Sequence, residues 1–182
     1  GVSYCATCDG PFYRGKDVVV VGGGDTAIQE ALFLTHFARK VFVIHRRDRL
    51  RAADILQKRA FAEKKIEFAW KSRLVEIAGR EFVTGVRVAD VESGSVSDIP
   101  AEGVFIFVGL TPNTELFRGI VEMDQGGYII TDENMRASAA GIFAAGDCRA
   151  KRFRQVITAA GDGANALHSA ELYIDELKGQ TY

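Results

Sequence analysis

The sequence predicts an α/β fold: a parallel sheet with helices, carrying an antiparallel β-meander. Three stretches predict it. Asp17-Val18-Val19-Val20-Val21 is a β-branched run that ends in Gly22-Gly23-Gly24. A segment of helical period follows, with Ala27, Ala31, Leu34 and Ala38 spaced by four, three and four, and Ile28 and Leu32 beside them. Lys40-Val41-Phe42-Val43-Ile44-His45 then reads as a second strand. A continuous valine run suits a strand buried on both faces, as in a parallel sheet.

The glycine cluster joins the first strand to the helix as Gly22-Gly23-Gly24-Asp25-Thr26-Ala27, a G-x-G-x-x-A turn. Each residue type has a task there. Gly22 permits the tight turn, Gly24 lets a pyrophosphate approach the backbone, and a small Ala27 lets the helix pack close to the strand. The free N–H groups of the helix start, around Asp25 and Thr26, face the phosphates. The motif sits after a strand, before a helix and inside a βαβ unit, the context that makes it a dinucleotide-binding, Rossmann-like turn. A purely structural glycine turn is the plainer alternative.

The end of the second strand selects the nucleotide. NAD proteins place an acidic residue about 20 positions beyond the first glycine, where it binds the ribose 2′-hydroxyl. Here His45 stands at that place, followed by Arg46, Arg47, Arg49 and Arg51. Guanidiniums hold a 2′-phosphate through bidentate, charge-assisted bonds. Asp48 lies among the arginines and is expected to pair with them. The sequence therefore favours NADP(H), with a solvated basic face or an RNA-like patch as the alternatives.

The remaining elements complete the domain. Residues 54–63 suit a helix, with Ile55, Leu56, Ala60 and Phe61 on one face. Ile66–Trp70 reads as a third strand. Residues 73–77, 82–90 and 96–100 read as the antiparallel meander, and Gly103–Gly109 as a buried strand returning to the sheet. Leu110-Thr111-Pro112-Asn113 breaks the chain. Beyond it, Tyr128–Thr131 and Gly141–Ala145 read as strands. Val156, Ala160, Gly163, Leu167, Ala170, Ile174 and Leu177 form a helical stripe expected to face a core. Lys151-Arg152-Phe153-Arg154 reads as a solvated basic turn.

Cys5-Ala6-Thr7-Cys8-Asp9-Gly10 precedes the nucleotide strand. Two cysteines at this spacing can form a readily reduced disulfide, and a helix start favours a thiolate. A zinc site needs four ligands, and Cys148, His36, His45 and His168 lack metal-site spacing, so no metal is expected. Two inert buried cysteines are the bland alternative. Asp9 can exchange a proton with a thiol or simply cap a turn. Cys148 is expected to be a buried small hydrophobe.

Composition excludes other classes. Lys plus Arg is 23 and Asp plus Glu is 24, giving a net charge of -1 in 182 residues. That balance argues against a dedicated nucleic-acid binder. No apolar run approaches the ~20 residues of a membrane span, and the first residues lack a signal-peptide pattern.

Together, the Cys5–Gly10 motif, the glycine turn and His45-Arg46-Arg47-Asp48-Arg49-Leu50-Arg51-Ala52 closely resemble the low-molecular-weight thioredoxin reductases of bacteria. The resemblance continues through Gly103–Asn113, Gly141–Asp147 and Arg154–Gly161. It implies that electrons pass from NADPH through FAD to the cysteine pair and on to thioredoxin or a similar small disulfide protein. Cys5 then matches the cysteine that attacks the partner, Cys8 the one nearest the flavin, and Asp9 the proton donor. Arg46, Arg47 and Arg51 match the 2′-phosphate cluster. Gly146 and Asp147 match the turn that binds the FAD chain, and Arg154, Gln155 and Val156 the flavin ring edge. It further implies an NADP-binding domain over 1–111 and the C-terminal remnant of an FAD-binding domain over 112–182. The family's second glycine turn, for FAD, is not in these residues. The expectation is therefore a fragment, inactive alone, of a cytoplasmic flavoprotein that is a homodimer at full length. A free-standing NADP-binding regulatory module, with a redox-sensing dithiol and no flavin, is the competing reading.

Overall fold

The computed structural model describes residues 1–180 and divides the chain into two compact units, with the boundary between Gly109 and Leu110. In chain order the elements are β1 (Val2–Ser3), α1 (Ala6–Asp9), a 3-10 turn (Gly10–Tyr13), β2 (Asp17–Val21), α2 (Asp25–Leu34), β3 (Lys40–Ile44), α3 (Asp54–Ala62), β4 (Ile66–Ala69), β5 (Ser72–Gly79), β6 (Val83–Asp90), β7 (Val96–Pro100), β8 (Gly103–Ile106) and α4 (Val156–Leu177). The first unit holds all of them except α4.

Its main sheet is wholly parallel, in the order β1-β8-β2-β3-β4. The meander β5-β6-β7 is a separate antiparallel sheet. The valine run explains how they combine, because successive side chains on a strand point to opposite faces. Val18 and Val20 join Ala27, Ile28, Ala31 and Leu34 of α2 in one buried cluster. Val19 points the other way and joins Val86, Val88 and Val104 beneath the meander. Phe105 and Val104 on β8 divide between the faces in the same manner. Both faces are therefore apolar because helices cover one and the meander covers the other.

The opposite end of β2 is latched by polar groups. Asp17 accepts from Arg39 Nε and Nη2 at 2.8 Å each, and its N–H donates to Glu102 at 2.8 Å. The Arg39 hydrogen bonds hold the Asp17 carboxyl below its ordinary range. Sequence periodicity overlooked β1, which at two residues is too short to show any.

In the second unit the expected strands at 128–131 and 141–145 are not continuous. Ile129, Thr131 and Phe143 make only isolated bridges, to Met123 and Arg149, to Ala137, and to Arg136 respectively. Left-handed residues at Gly127 (φ 84°), Met135 (φ 64°) and Gly141 (φ 77°) turn the chain before a ladder can extend. Val121, Ile129 and Ala144 form the buried cluster of this unit.

The α4 stripe is corrected as well. Val156, Leu167 and Leu177 are 88%, 72% and 70% exposed. The helix instead seats Ala159, Asp162, Ser169 and Tyr173 inward. Ser169 is buried, Tyr173 meets Phe143 edge-on at 6.1 Å, and Ala159 lies against Gly146. Small and polar side chains permit this close seating, which hydropathy does not register. No helix among the described residues is long and apolar enough to cross a membrane.

Phe105 is fully buried and meets Tyr13 edge-on at 5.2 Å. Phe105→Ala is expected to lower the stability of the first unit by about 3–5 kcal/mol, the usual cost of such a cavity. Denaturant unfolding measures it, and a loss below about 1 kcal/mol would contradict this account of the core.

Candidate functional site

The parallel strands set one row of residues at the carboxyl edge of the sheet. Ser3, Phe105, Val20, Val43 and Phe68 lie side by side in register across the five strands. Two residues further along each strand come Cys5, Phe107, Gly22, His45 and Trp70. The cysteine motif, the glycine turn and the start of the arginine segment thus leave the sheet at the same level. This is the edge where open α/β sheets bind ligands.

At the turn, Gly22 has φ +148°, and a Cβ there would strike the Phe107 carbonyl oxygen and come within 2.7 Å of Ala27 Cβ. Ala27 is fully buried, so no larger side chain fits at that position of the turn. Gly24 is the N-cap of α2, and a Cβ on it would meet only open space. Its backbone is open to an approaching group. The arginine segment is stitched onto this turn. Arg51 N–H donates to the Gly23 carbonyl at 2.7 Å, and Ala53 N–H donates to Asp25 Oδ1 at 2.7 Å. The Asp25 carboxylate therefore serves the loop, while Thr26 is exposed beside it.

Arg46, Arg47, Arg49 and Arg51 are exposed, and Leu50 between them is buried as the anchor of the loop. Asp48 pairs with none of the four among the described residues, contrary to expectation. The arginines' charge is thus left available to an anion. A pocket of about 370 Å³ opens here, and its lining includes Gly22, Gly23, His45, Arg46, Arg51, Ser72, Arg73 and Val108. Arg47 is not in its wall. Ser72 and Arg73 had no signal in the sequence, because they enter from the first residues of the meander.

The His45 ring is buried, and burial is the main cause that lowers its pKa. The Arg49 backbone opposes that shift, and the charges of Arg51, Arg47 and Arg46 add to it.

Cys5 and Cys8 form a disulfide with Cα atoms 5.3 Å apart. Cys5 is the N-cap of α1, and its Sγ accepts from the Cys8 N–H at 3.2 Å. That donor and the helix start stabilise a thiolate on Cys5 once the bond is reduced. Buried Ser3, which carries no motif signal, accepts from Cys5 N–H at 3.1 Å and donates to Cys5 O at 3.3 Å. Asp9 is half-buried and its side chain makes no capping bond, which removes the cap explanation for it. Tyr13 nearby is raised above its ordinary range, first by burial and then by the charge of Asp9. Glu30 on α2 faces the start of α1. Burial raises its carboxyl, and the Ala6 N–H offsets part of that.

In the second unit Gly146 and Asp147 lie on a 3-10 turn, with Gly146 at φ +79° and the Asp147 side chain 60% exposed. Lys151 is not a solvated residue. With Arg149 it is held by Asp162, at 3.0 and 3.3 Å, and all three side chains are less than 15% exposed. Asp162 also accepts the Gly146 N–H at 3.1 Å and so fixes the turn that presents Asp147. Arg154 stacks over Tyr128 at 4.0 Å. Gln155 caps α4 in reciprocal bonds with Thr158, and Val156 is the first helical residue. Cys148 is a free, half-buried thiol whose Sγ donates to the Ala145 carbonyl at 3.2 Å. Among the described residues no cluster suits a metal ion.

The chain belongs to the pyridine nucleotide-disulphide oxidoreductase family, whose profile matches residues 1–163. Within that class it resembles proteins named thioredoxin reductase. That of Listeria monocytogenes is 51% identical over 98% of this chain, and that of Bacillus subtilis is 46% identical over 98%. The thioredoxin reductase structure from Streptococcus pyogenes, 51% identical, superposes on 97% of the chain with a TM-score of 0.91. The chain spans 56–58% of the length of these relatives.

Asp162 makes the second unit sensitive to acid. Burial pushes its carboxyl up, but Lys151, the Gly146 N–H and Arg149 outweigh that and set it below the ordinary 3.8. The stability this provides is complete above the ordinary carboxylate range and is lost as pH falls through the depressed value. Asp162→Ala, which removes the carboxylate shared by Arg149 and Lys151 and leaves Lys151 only a 3.8 Å contact to exposed Asp147, is expected to cost about 3 kcal/mol at pH 7 and to flatten that acid loss. Unfolding curves from pH 7 to 2 test both statements, and an unchanged acid limb would contradict them.

Proposed function

We propose that this chain is the NADP(H)-binding and dithiol-bearing part of an FAD-dependent disulfide oxidoreductase of the thioredoxin-reductase type. The observation that carries the reading is that an open glycine turn, a free arginine cluster and a Cys5–Cys8 disulfide all leave one edge of a single sheet. A dinucleotide turn beside a reducible disulfide suits net transfer of two electrons and a proton: NADPH, a proton and the disulfide give NADP⁺ and two thiols.

The residues divide the work. Gly22 and Ala27 permit the close turn, and Gly24 with the start of α2 receives the pyrophosphate. Arg46 and Arg51 in the pocket wall, with Arg47 beside them, neutralise the 2′-phosphate. Flavin, if bound, would carry the electron pair from nucleotide to disulfide, since it can take a hydride from NADPH and then give two electrons to the Cys5–Cys8 bond, which opens to two thiols. On this chain Gly146 and Asp147 would hold its polar tail, and Arg154, Gln155 and Val156 would serve its ring edge. The exposed turn, fixed from behind by Asp162, suits that task.

Once reduced, Cys5 thiolate attacks one sulfur of a small disulfide protein of thioredoxin type and forms a mixed disulfide. The partner's other sulfur leaves as thiolate and takes a proton, the donor's role that the family resemblance gives to Asp9. Cys8 then attacks Cys5, re-forms the Cys5–Cys8 bond and releases the partner's second thiol. By the family resemblance, Cys8 would be the cysteine that receives electrons from a bound flavin. The reading places the whole protein in the cytoplasm as a homodimer, with the rest of its FAD domain covering the apolar face of α4.

Two measurements check this. Arg46→Ala combined with Arg47→Ala is expected to weaken NADPH by roughly tenfold or more while changing NADH little, since a lost bidentate phosphate contact is worth over 1 kcal/mol. Equal losses for both nucleotides would overturn the 2′-phosphate assignment. Reduced Cys8→Ser chain, mixed with an oxidised thioredoxin-type protein, is expected to accumulate a covalent adduct on non-reducing gels. Cys5→Ser is expected to give none, and the reverse pattern would exchange the two roles.

A further inference from the structure

His45 stands first in the basic segment, where a direct contact to the nucleotide is the simple expectation. The residue does contribute to the lining of the pocket, but its ring is held in a closed seat. Its Nε2 is sealed from solvent and has no hydrogen-bond partner among the described residues. The whole residue is 6% exposed. A ligand cannot reach that nitrogen unless the ring turns out of its seat. Trp70 closes one side of the seat, with its ring edge-on and 6.4 Å away. The backbone is fixed on both sides, since His45 N–H donates to Ala69 O at 3.0 Å and Ser72 N–H donates to His45 O at 3.0 Å.

The other side of the seat is Gly23. A Cβ built on Gly23 would run into the imidazole, overlapping Nδ1 and Cε1 and lying 2.7 Å from Cγ. Gly23 has no positive φ to demand glycine. The glycine there is required by the ring beneath it. Gly23 in turn accepts the Arg51 N–H at 2.7 Å, and Arg51 lines the nucleotide pocket. The imidazole, the middle glycine and the last arginine of the cluster form one stack.

We infer that His45 is a positioning residue rather than a nucleotide ligand: its ring fills the space under Gly23, fixing the path of Gly22–Gly24 and, through Gly23, the seat of Arg51. The inference rests on the nucleotide-site reading for its consequence, but the packing it describes exists without nucleotide. A spacer under the turn serves the pyrophosphate, which NADPH and NADH share. A direct ligand of the 2′-phosphate would serve NADPH alone.

The test is a reciprocal cycle in the full chain: Gly23→Ala, His45→Ala and the two combined. NADPH and NADH are titrated separately, and thermal melting is recorded without nucleotide. Gly23→Ala is expected to weaken both nucleotides by roughly tenfold or more, as overpacking of a tight site does. His45→Ala is expected to weaken both by one common, smaller factor. The double variant is expected to bind at least about fivefold more tightly than Gly23→Ala and to melt above it, because the clash has been removed. Selective loss of NADPH in His45→Ala would overturn the inference in favour of a direct ligand. A double variant no better than Gly23→Ala in binding and melting would overturn it as well. If Gly23→Ala fails to fold, folding of the double variant supports the inference and its failure to fold opposes it. A native chain that binds neither nucleotide overturns the nucleotide reading alone, and the melting cycle then decides the packing inference. Trp70, the only tryptophan, adds a local signal: its emission is expected to shift when Gly23→Ala displaces the ring toward it.

Discussion

The structure of the first unit depends on a backbone approach that excludes a side chain. Gly22 brings its Cα against the carbonyl of Phe107 and the Cβ of Ala27, and no residue with a Cβ can do so. From that contact follow the spacing of β2 and β8 beyond their last ladder bond, Phe107 N–H to Val21 O at 2.8 Å, and the angle at which α2 leaves the sheet. The buried face of α2, Ala27, Ile28, Ala31 and Leu34, can then pack on Val18 and Val20. The core beneath α2 and the opening at Gly24 therefore share one cause. A helix seated further out would lose both the packing and the inward-facing N–H groups.

This dependence explains what could be read from sequence alone. The G-x-G-x-x-A pattern is a list of steric exclusions, and exclusions leave fixed residue types at fixed spacing. The valine run was equally legible, since burial on both faces permits no polar interruption. The meander was legible as three segments, while its place over Val19 and Val104 was not, because nothing local specifies the partner of a sheet face.

The second unit shows where the code is silent. The apolar stripe of α4 was read as the inward face, yet the inward face is Ala159, Asp162, Ser169 and Tyr173. Periodicity finds a stripe but does not say which neighbour covers it. Lys151 looked like a surface charge because its neighbours Arg152 and Arg154 are basic. Its partner Asp162 lies a helical segment away, and only the fold brings them to 3.0 Å. Long-range ion pairs leave no spacing signal. Asp48 is the reverse case, a residue whose neighbours in sequence were not its partners in space.

The candidate site was legible for the same reason as the core and incomplete for the same reason as α4. Residues that act through their own backbone, Gly22, Gly24 and Ala27, announce themselves. Residues that enter from elsewhere, Ser72 and Arg73 in the pocket or Ser3 behind Cys5, do not. What unites them is register. Cys5, Gly22 and His45 each follow by two residues the row Ser3, Val20 and Val43. A slip of one residue in β2 would turn Val18 and Val20 toward the meander and carry Gly22 away from Phe107. The Cys5–Cys8 pair would still follow β1, but the glycine turn would no longer leave the sheet at its level. The alternation of the valines between two cores therefore fixes more than stability, because the same register sets the glycine turn and the disulfide on one edge.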